Sequence, residues 1–456
     1  MTIDILPDDA LLEIFDYYVK EMVGFYVSPL AQPGWHALVH VCRKWRNVVF
    51  GSPRRLNLQL LCKSRTPVKE TLDAWPLFPI IVRSHDPEEY GVDNLVAALE
   101  HNGRVIEIFI ENLSSSQFEK VFAAMQRPFP ALTNLSIDFA YGTALIDPAS
   151  FLGGAVPGLK SLSLYGNISP GLLKLLLSAT DLVTLQLRMI HLSVHISPEV
   201  LVTCLSVLTR LEKLEIGAES RQIHPDHSHL PPRTLTHITS LEFYGGSEYL
   251  DDLMARIDAP LLDDLHIILF HQSIFHTPQL TQFIARTPKF NTHDTVHLII
   301  SNVFASVTAF DKRLRFSIIC GQSDQRLPSM TQICSSVLPR AVILAVERLF
   351  ILQCPGARPP MPWRDSVENS QWLEIIRPFT AVKRLYISSE FTARIVPFLQ
   401  GLVEERVARV LPALQNFFLE ETILSGPVQE AFGQFIGARQ LAGHPVAIFH
   451  WERNRF

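Results

Sequence analysis

The chain has 456 residues, enough for a sizeable core, and its 47% apolar and 19% charged residues with a net charge of −5 exclude both a disordered polymer and a globally basic, nucleic-acid-seeking surface. Six cysteines at 42, 62, 204, 320, 334 and 354 include no C-x-x-C pair and lack the density of a secreted disulfide scaffold, so reduced thiols are expected. The opening MTIDILPDDA has neither the basic nor the apolar region of a signal peptide. The longest apolar candidate, Ala341 to Cys354, is interrupted by Glu347-Arg348, so a cytoplasmic or nuclear protein without a membrane partner is expected.

The first predicted element starts at Pro7. Proline suits the first helical turn, and Asp8, Asp9 and Glu13 favour the positive end of a helix dipole. Leu11, Ile14, Phe15 and Tyr18 recur at helical spacing, with Leu12 and Val19 widening the stripe. A second apolar series, Trp35, Leu38, Val41, Cys42, Trp45 and Val48-Val49, supplies part of a lid. About fifty residues in two or three short helices fall below the size at which a core is usually self-sufficient, so some apolar surface is expected to wait for a partner.

These residues resemble an F-box, the helical module that docks onto the Skp-type adaptor of a cullin-based ubiquitin ligase. The resemblance covers roughly residues 3 to 50. It rests on Leu6-Pro7, the acidic pair, Leu11-Leu12-x-Ile14-Phe15 and Val41-Cys42-Arg43-x-Trp45-Arg46. It implies adaptor contacts at Leu6, Pro7, Leu11, Leu12, Ile14, Phe15, Val41, Cys42 and Trp45, some of which must instead pack internally. One departure is the connection from Tyr18 to Trp35, longer than usual and broken by Pro29, Pro33 and Gly34.

The basic run from Arg43 to Lys69 reads as a solvated helix face and linker, its aromatics not interleaved as a single-strand nucleic-acid binder would want. Ser64 to Pro79 reads as a stiff connector ending at a first strand, Ile80-Ile81-Val82. A repeat of the form L-x-x-L-x-L follows, with middle residues at 108, 135, 162, 185, 214, 241 and 265. Its period of 23 to 29 residues holds one strand, one turn and one helix. Ser116-x-x-Glu119 reads as a capping box, while Ser169-Pro170, Ser197-Pro198 and Thr277-Pro278 each open a helix. The spacing falters over about 270–345 and at the proline-rich 355–371, although Val296–Ile300 and Leu314–Ile318 read as locally paired strands. The pattern returns with middle residues 349, 385 and 417, then a helix over 428–440 and a strand Val446 to Phe449.

This part resembles, loosely, the leucine-rich repeats that F-box proteins often carry; only Asn167 stands where that family's turn asparagine would lie. The expected fold class is therefore α/β: a small helical domain at 1–60, a linker at 61–78, and an irregular solenoid at 79–456 with parallel strands inside and helices outside.

Phosphate loops, H-E-x-x-H and G-x-S-x-G are absent from the sequence. His224-Pro225-Asp226-His227-Ser228-His229 reads as a solvated loop before a metal site, and Asp251-Asp252 and Asp263-Asp264 as structural carboxylates before an acid/base pair. The expectation is a non-catalytic subunit with no cofactor and no resident metal. In a solenoid the outward-pointing strand residues carry recognition, here Phe109, Tyr165, Arg188, Tyr244, His266, Phe350, Tyr386 and Phe418. The resemblance implies a substrate receptor that joins a Skp-family adaptor, and through it a cullin, to an unidentified protein client. The other readings are a ligase-independent protein-binding scaffold and a metal-dependent hydrolase built on the His224–His229 loop.

Overall fold

The computed structural model describes residues 6–23, 38–51, 58–65, 68–74, 78–84, 91–139, 151–166, 172–190, 196–218, 232–270, 275–291, 294–301, 303–309, 313–320, 325–353, 367–391, 398–400, 402–403, 409–420 and 426–451. Two compact units divide the chain. One comprises Met1–Ile196 with Val207–Leu211, the other Ser197–Ser206 with Glu212–Phe456. The boundary falls within the repeat region, and the N-terminal helices belong with the first strands: Phe50 stacks on the buried Phe78 at 6.2 Å.

The first unit begins with helices Asp8–Val23 and Arg43–Gly51. It continues as parallel strands β1 (Leu58–Leu61), β2 (Ile80–Ser84), β3 (Val105–Leu113), β4 (Asn134–Phe139), β5 (Ser161–Tyr165) and β6 (Thr184–Ile190), paired in chain order. Helices Val92–Leu99, Ser115–Ala124 and Leu172–Ser178 alternate with the strands. The expected connector holds more structure than its prolines suggest: β1 precedes it, and Val68–Ala74 is a helix that buries Val68 and Leu72 four residues apart.

Repeat residues meet in register. Val82, Ile108, Leu135, Leu162 and Leu185 oppose one another along the sheet, all buried. At roughly 1.5–3 kcal/mol for each fully buried aliphatic side chain, this row outweighs any surface ion pair between neighbouring repeats. The repeat also has a backbone signature at each strand entry. The N–H groups of Thr133, Lys160 and Val183 donate to the carbonyls of Ile106, Thr133 and Lys160 at 2.8, 2.7 and 2.8 Å, which links each strand entry to the one before it.

The second unit holds β7 (Lys213–Ala218), β8 (Arg233–Thr234), β9 (Ser240–Gly245), β10 (Ile257–Asp258), β11 (Asp264–Phe270), β12 (Thr295–Ile300), β13 (Phe304–Ala309), β14 (Leu314–Ile319), β15 (Arg348–Gln353), β16 (Arg384–Ile387), β17 (Asn416–Glu420) and β18 (Ala447–Trp451). β8 and β10 form a small parallel pair of their own. The rest form one sheet in the order β7-β9-β11-β14-β13-β12-β15-β16-β17-β18. All its pairings are parallel except those of β13, which runs antiparallel to both β12 and β14. Val296–Ile300 and Leu314–Ile318 therefore do pair locally, but through β13, a strand the sequence pattern does not announce. The chain leaves β11, skips two places to lay down β12, and walks back through β13 to close β14 onto β11.

Most helix starts lie where the sequence puts them. Ser197 caps Pro198–Leu205, its hydroxyl accepting from the Val200 N–H at 3.3 Å, and Pro278 opens Pro278–Arg286. The capping box lies two residues earlier than expected: Gln117 Oε1 accepts from the Ser114 N–H at 3.0 Å and from its hydroxyl at 2.8 Å. Strand β3 runs to Leu113, so Ser114 is the first residue free to cap. Ser169-Pro170, Asn167 and the His224–His229 run lie outside the described residues, as does most of 355–371. Among the described residues, no helix is long and apolar enough to cross a membrane.

Candidate protein-interaction surface

In the N-terminal module the apolar stripe divides by depth. Leu11, Leu12 and Phe15 are buried, and the Phe15 ring lies 4.8 Å from that of Trp45, so these three pack internally and are withdrawn from any adaptor contact. The reason is geometric, since positions 11, 12 and 15 share the helix face that meets Arg43–Gly51. What stays open is another set. Ile14 is 48%, Tyr17 69% and Val41 56% exposed; Pro7 is exposed and Leu6, Cys42 and Trp45 are half-buried. Tyr17 was missed by the sequence reading. Its signal was its position, three residues after Ile14 and off the buried stripe.

Two polar contacts hold this geometry. Lys44 Nζ donates to the Leu6 carbonyl at 2.8 Å and lies 3.9 Å from the Asp8 carboxylate, while Arg46 Nε donates to the Val39 carbonyl at 3.0 Å.

Strand residues of the first unit alternate as expected, with the outward set half-buried. The Arg83 guanidinium lies 4.7 Å from the Phe109 ring centroid, and Arg188 lies 5.4 Å from that of Tyr165. Three carboxylates, Glu107, Glu111 and Asp138, share this face. Burial raises the Glu107 carboxyl above its ordinary value, opposed by the Arg83 charge and a hydrogen bond from Asn134 Nδ2 at 3.1 Å. Burial, then the neighbouring Glu111 charge, raises that of Asp138.

In the second unit a single row crosses ten paired strands in register: Glu215, Glu242, His266, Arg315, Thr308, His297, Phe350, Tyr386, Phe418 and Phe449. Its first half is polar. Glu242 Oε1 accepts from the Tyr244 hydroxyl at 2.5 Å and bonds His266 Nδ1 at 2.6 Å. Its second half is a stack of rings. Successive centroids from His297 through Phe350, Tyr386 and Phe418 to Phe449 are 4.5, 4.1, 4.4 and 5.2 Å apart, and Trp451 packs edge-on against Phe350 and Tyr386.

This stack corrects part of the client-facing set. Phe350 and Tyr386 are only 3% and 5% exposed, so they belong to the core, while Phe418 is half-buried and Phe449 is 44% exposed. Phe109, Tyr165, Arg188, Tyr244 and His266 keep partial exposure.

The carboxylate pairs weighed as acid/base candidates have structural partners. Asp251 Oδ1 accepts from the backbone N–H groups of Gln279 and Leu280 at 2.9 and 3.1 Å, capping the helix Pro278–Arg286, and Asp252 pairs with Arg256 at 2.9 Å. Asp263 pairs with Arg313 at 2.5 Å and Lys289 at 3.3 Å. Burial pushes the Cys62 and Cys334 thiols up to about 12, which suits packing and not nucleophilic attack. Among the described residues, no group of three or more His, Cys, Asp or Glu is placed to hold a metal ion. Comparison of the chain with protein-family models finds no match, and neither does comparison with curated proteins.

Proposed function

We propose that this chain is a non-catalytic substrate receptor of a Skp–cullin–F-box ubiquitin ligase, its N-terminal module holding the Skp-type adaptor and its repeat strands holding a client protein. One observation carries the reading. The residues that resemble an F-box keep an uncovered apolar surface at Ile14, Tyr17 and Val41, while Leu11, Leu12 and Phe15 from the same motif are buried. Exposed aliphatic and aromatic side chains on a module this small suit a protein partner. Catalysis then needs no acid, base or nucleophile here. Holding a client close to a charged conjugating enzyme raises its effective concentration.

The client side is supported by mixed aromatic, acidic and basic side chains on the outward strand faces, chiefly Phe109, Tyr165, Arg188, Tyr244 and His266. The adaptor side is tested directly. Ile14→Asp with Val41→Asp is expected to lower capture of a purified Skp-type adaptor at least a hundredfold, by analogy with hot-spot losses above about 2 kcal/mol. The melting temperature should fall little, because both side chains are already about half exposed. Undiminished capture would remove the module from the adaptor-binding role.

A further inference from the structure

Lys44 stands against the local preference of its own helix. Arg43–Gly51 opens with Arg43 and Lys44 and has no acid in its first turn, where cations oppose the helix dipole. A side chain kept in such a place calls for a compensating role. The structure offers one: the half-buried Lys44 reaches the Leu6 carbonyl at 2.8 Å and the Asp8 carboxylate at 3.9 Å.

That carbonyl lies immediately ahead of Pro7, whose ring presets its own backbone angle. The Pro7 carbonyl in turn accepts the Leu11 N–H at 3.1 Å, the bond that opens the helix Asp8–Val23. The Leu6 carbonyl and the stiff Pro7 thus join the entry to this helix to the second helix. Position 44 is the one the Val41-Cys42-Arg43-x-Trp45-Arg46 run leaves open.

We propose that Lys44 is a positioning residue for adaptor docking: by tying Leu6 to the second helix it presents Leu6-Pro7 to the adaptor in one fixed arrangement. This rests on the receptor reading above. Its contribution is preorganisation, the ordering of a chain end before binding instead of during it.

The test compares the full chain with Lys44→Met, which keeps the stem and loses the ammonium, Lys44→Arg, which keeps a donor, and Asp8→Asn, which removes the exposed ion pair together with one of the acids of the first helical turn. Two quantities are read: amide exchange at Leu11 and the dissociation rate of a purified Skp-type adaptor. Lys44→Met is expected to speed both about tenfold, the size of one charge-assisted hydrogen bond. Lys44→Arg should restore both, Asp8→Asn should change neither by more than about twofold, and all should melt together.

Unchanged dissociation from Lys44→Met, or equal loss from Lys44→Met and Lys44→Arg, would overturn the inference while leaving the receptor reading in place. Capture of no adaptor even by the unaltered chain would sink both, and Leu11 exchange would still show whether the tie exists.

Discussion

Single residues in this chain are placed by their neighbours more than by their type. Asp138 sits on the outward face of β4 with its carboxyl raised, first by burial and then by Glu111. A carboxyl whose folded value lies above its unfolded one favours folding at low pH, and that contribution is lost as pH rises through the folded value. Asp138→Asn should therefore stabilise the protein at neutral pH by a few tenths of a kcal/mol, with partial exposure keeping the gain small. The gain should fade as pH falls below the raised value and vanish beneath the ordinary carboxyl value of about 4. Denaturant titrations of both proteins at pH 7 and pH 3 check this; an equal difference at both would show that Asp138 is not perturbed in this sense. Gly245 is fixed by a different constraint. Its φ is +156°, and an added Cβ would lie 2.0 Å from the Ala218 carbonyl oxygen, so the approach of β7 to β9 at that point needs a residue without one.

At the scale of elements, the helix Pro278–Arg286 is capped from outside. Thr277 precedes it without a side-chain cap, and Asp251 of the preceding helix accepts from its first free N–H groups instead. Asp251→Ala should cost about 1 kcal/mol, within the range for lost caps. Faster exchange at the Gln279 and Leu280 amides should accompany it, and unchanged exchange would assign the cap to another group. What could be read beforehand follows the same division. Repeat leucines such as Leu135 and Leu162 were legible because alternation within a strand and recurrence between strands point to the same face. Strand β13, Phe304-Ala305-Ser306-Val307-Thr308-Ala309, was not, since its alternation of Ala305, Val307 and Ala309 with Ser306 and Thr308 is carried mostly by small residues, and its burial comes from the pairing with β12 and β14 and from the helix Arg326–Gln332 packed on it. The withdrawn ring stack was illegible for a related reason. Alternation places Phe350 and Tyr386 outward, but only the register across β12 and β15–β18 reveals that rings from adjacent strands meet and bury one another. Likewise the F-box-like stripe marked Leu11, Ile14 and Phe15 alike, while the packing of the second helix decides which of them remains outside.

Over the whole molecule, the proposed adaptor and client functions draw on distant stretches of chain, and this separation can be measured. Phe350 touches His297, Tyr386 and Trp451, and Phe350→Ala should cost about 3–5 kcal/mol, as for other buried aromatic truncations. A lowered unfolding midpoint with adaptor capture intact at 25 °C is the expected result. Loss of capture in the still-folded variant would tie adaptor binding to the packing of this ring stack. The backtracking of β12, β13 and β14 bears on how the protein is made. A newly synthesised chain emerges from the ribosome in order, yet the neighbour of β11 is β14, so the far edge of β11 stays bare while the segment from Phe270 to Leu314 is translated. At about 5–20 residues per second that interval is roughly 2–9 seconds, during which a nascent strand edge faces solvent and invites either a chaperone or another unfinished chain.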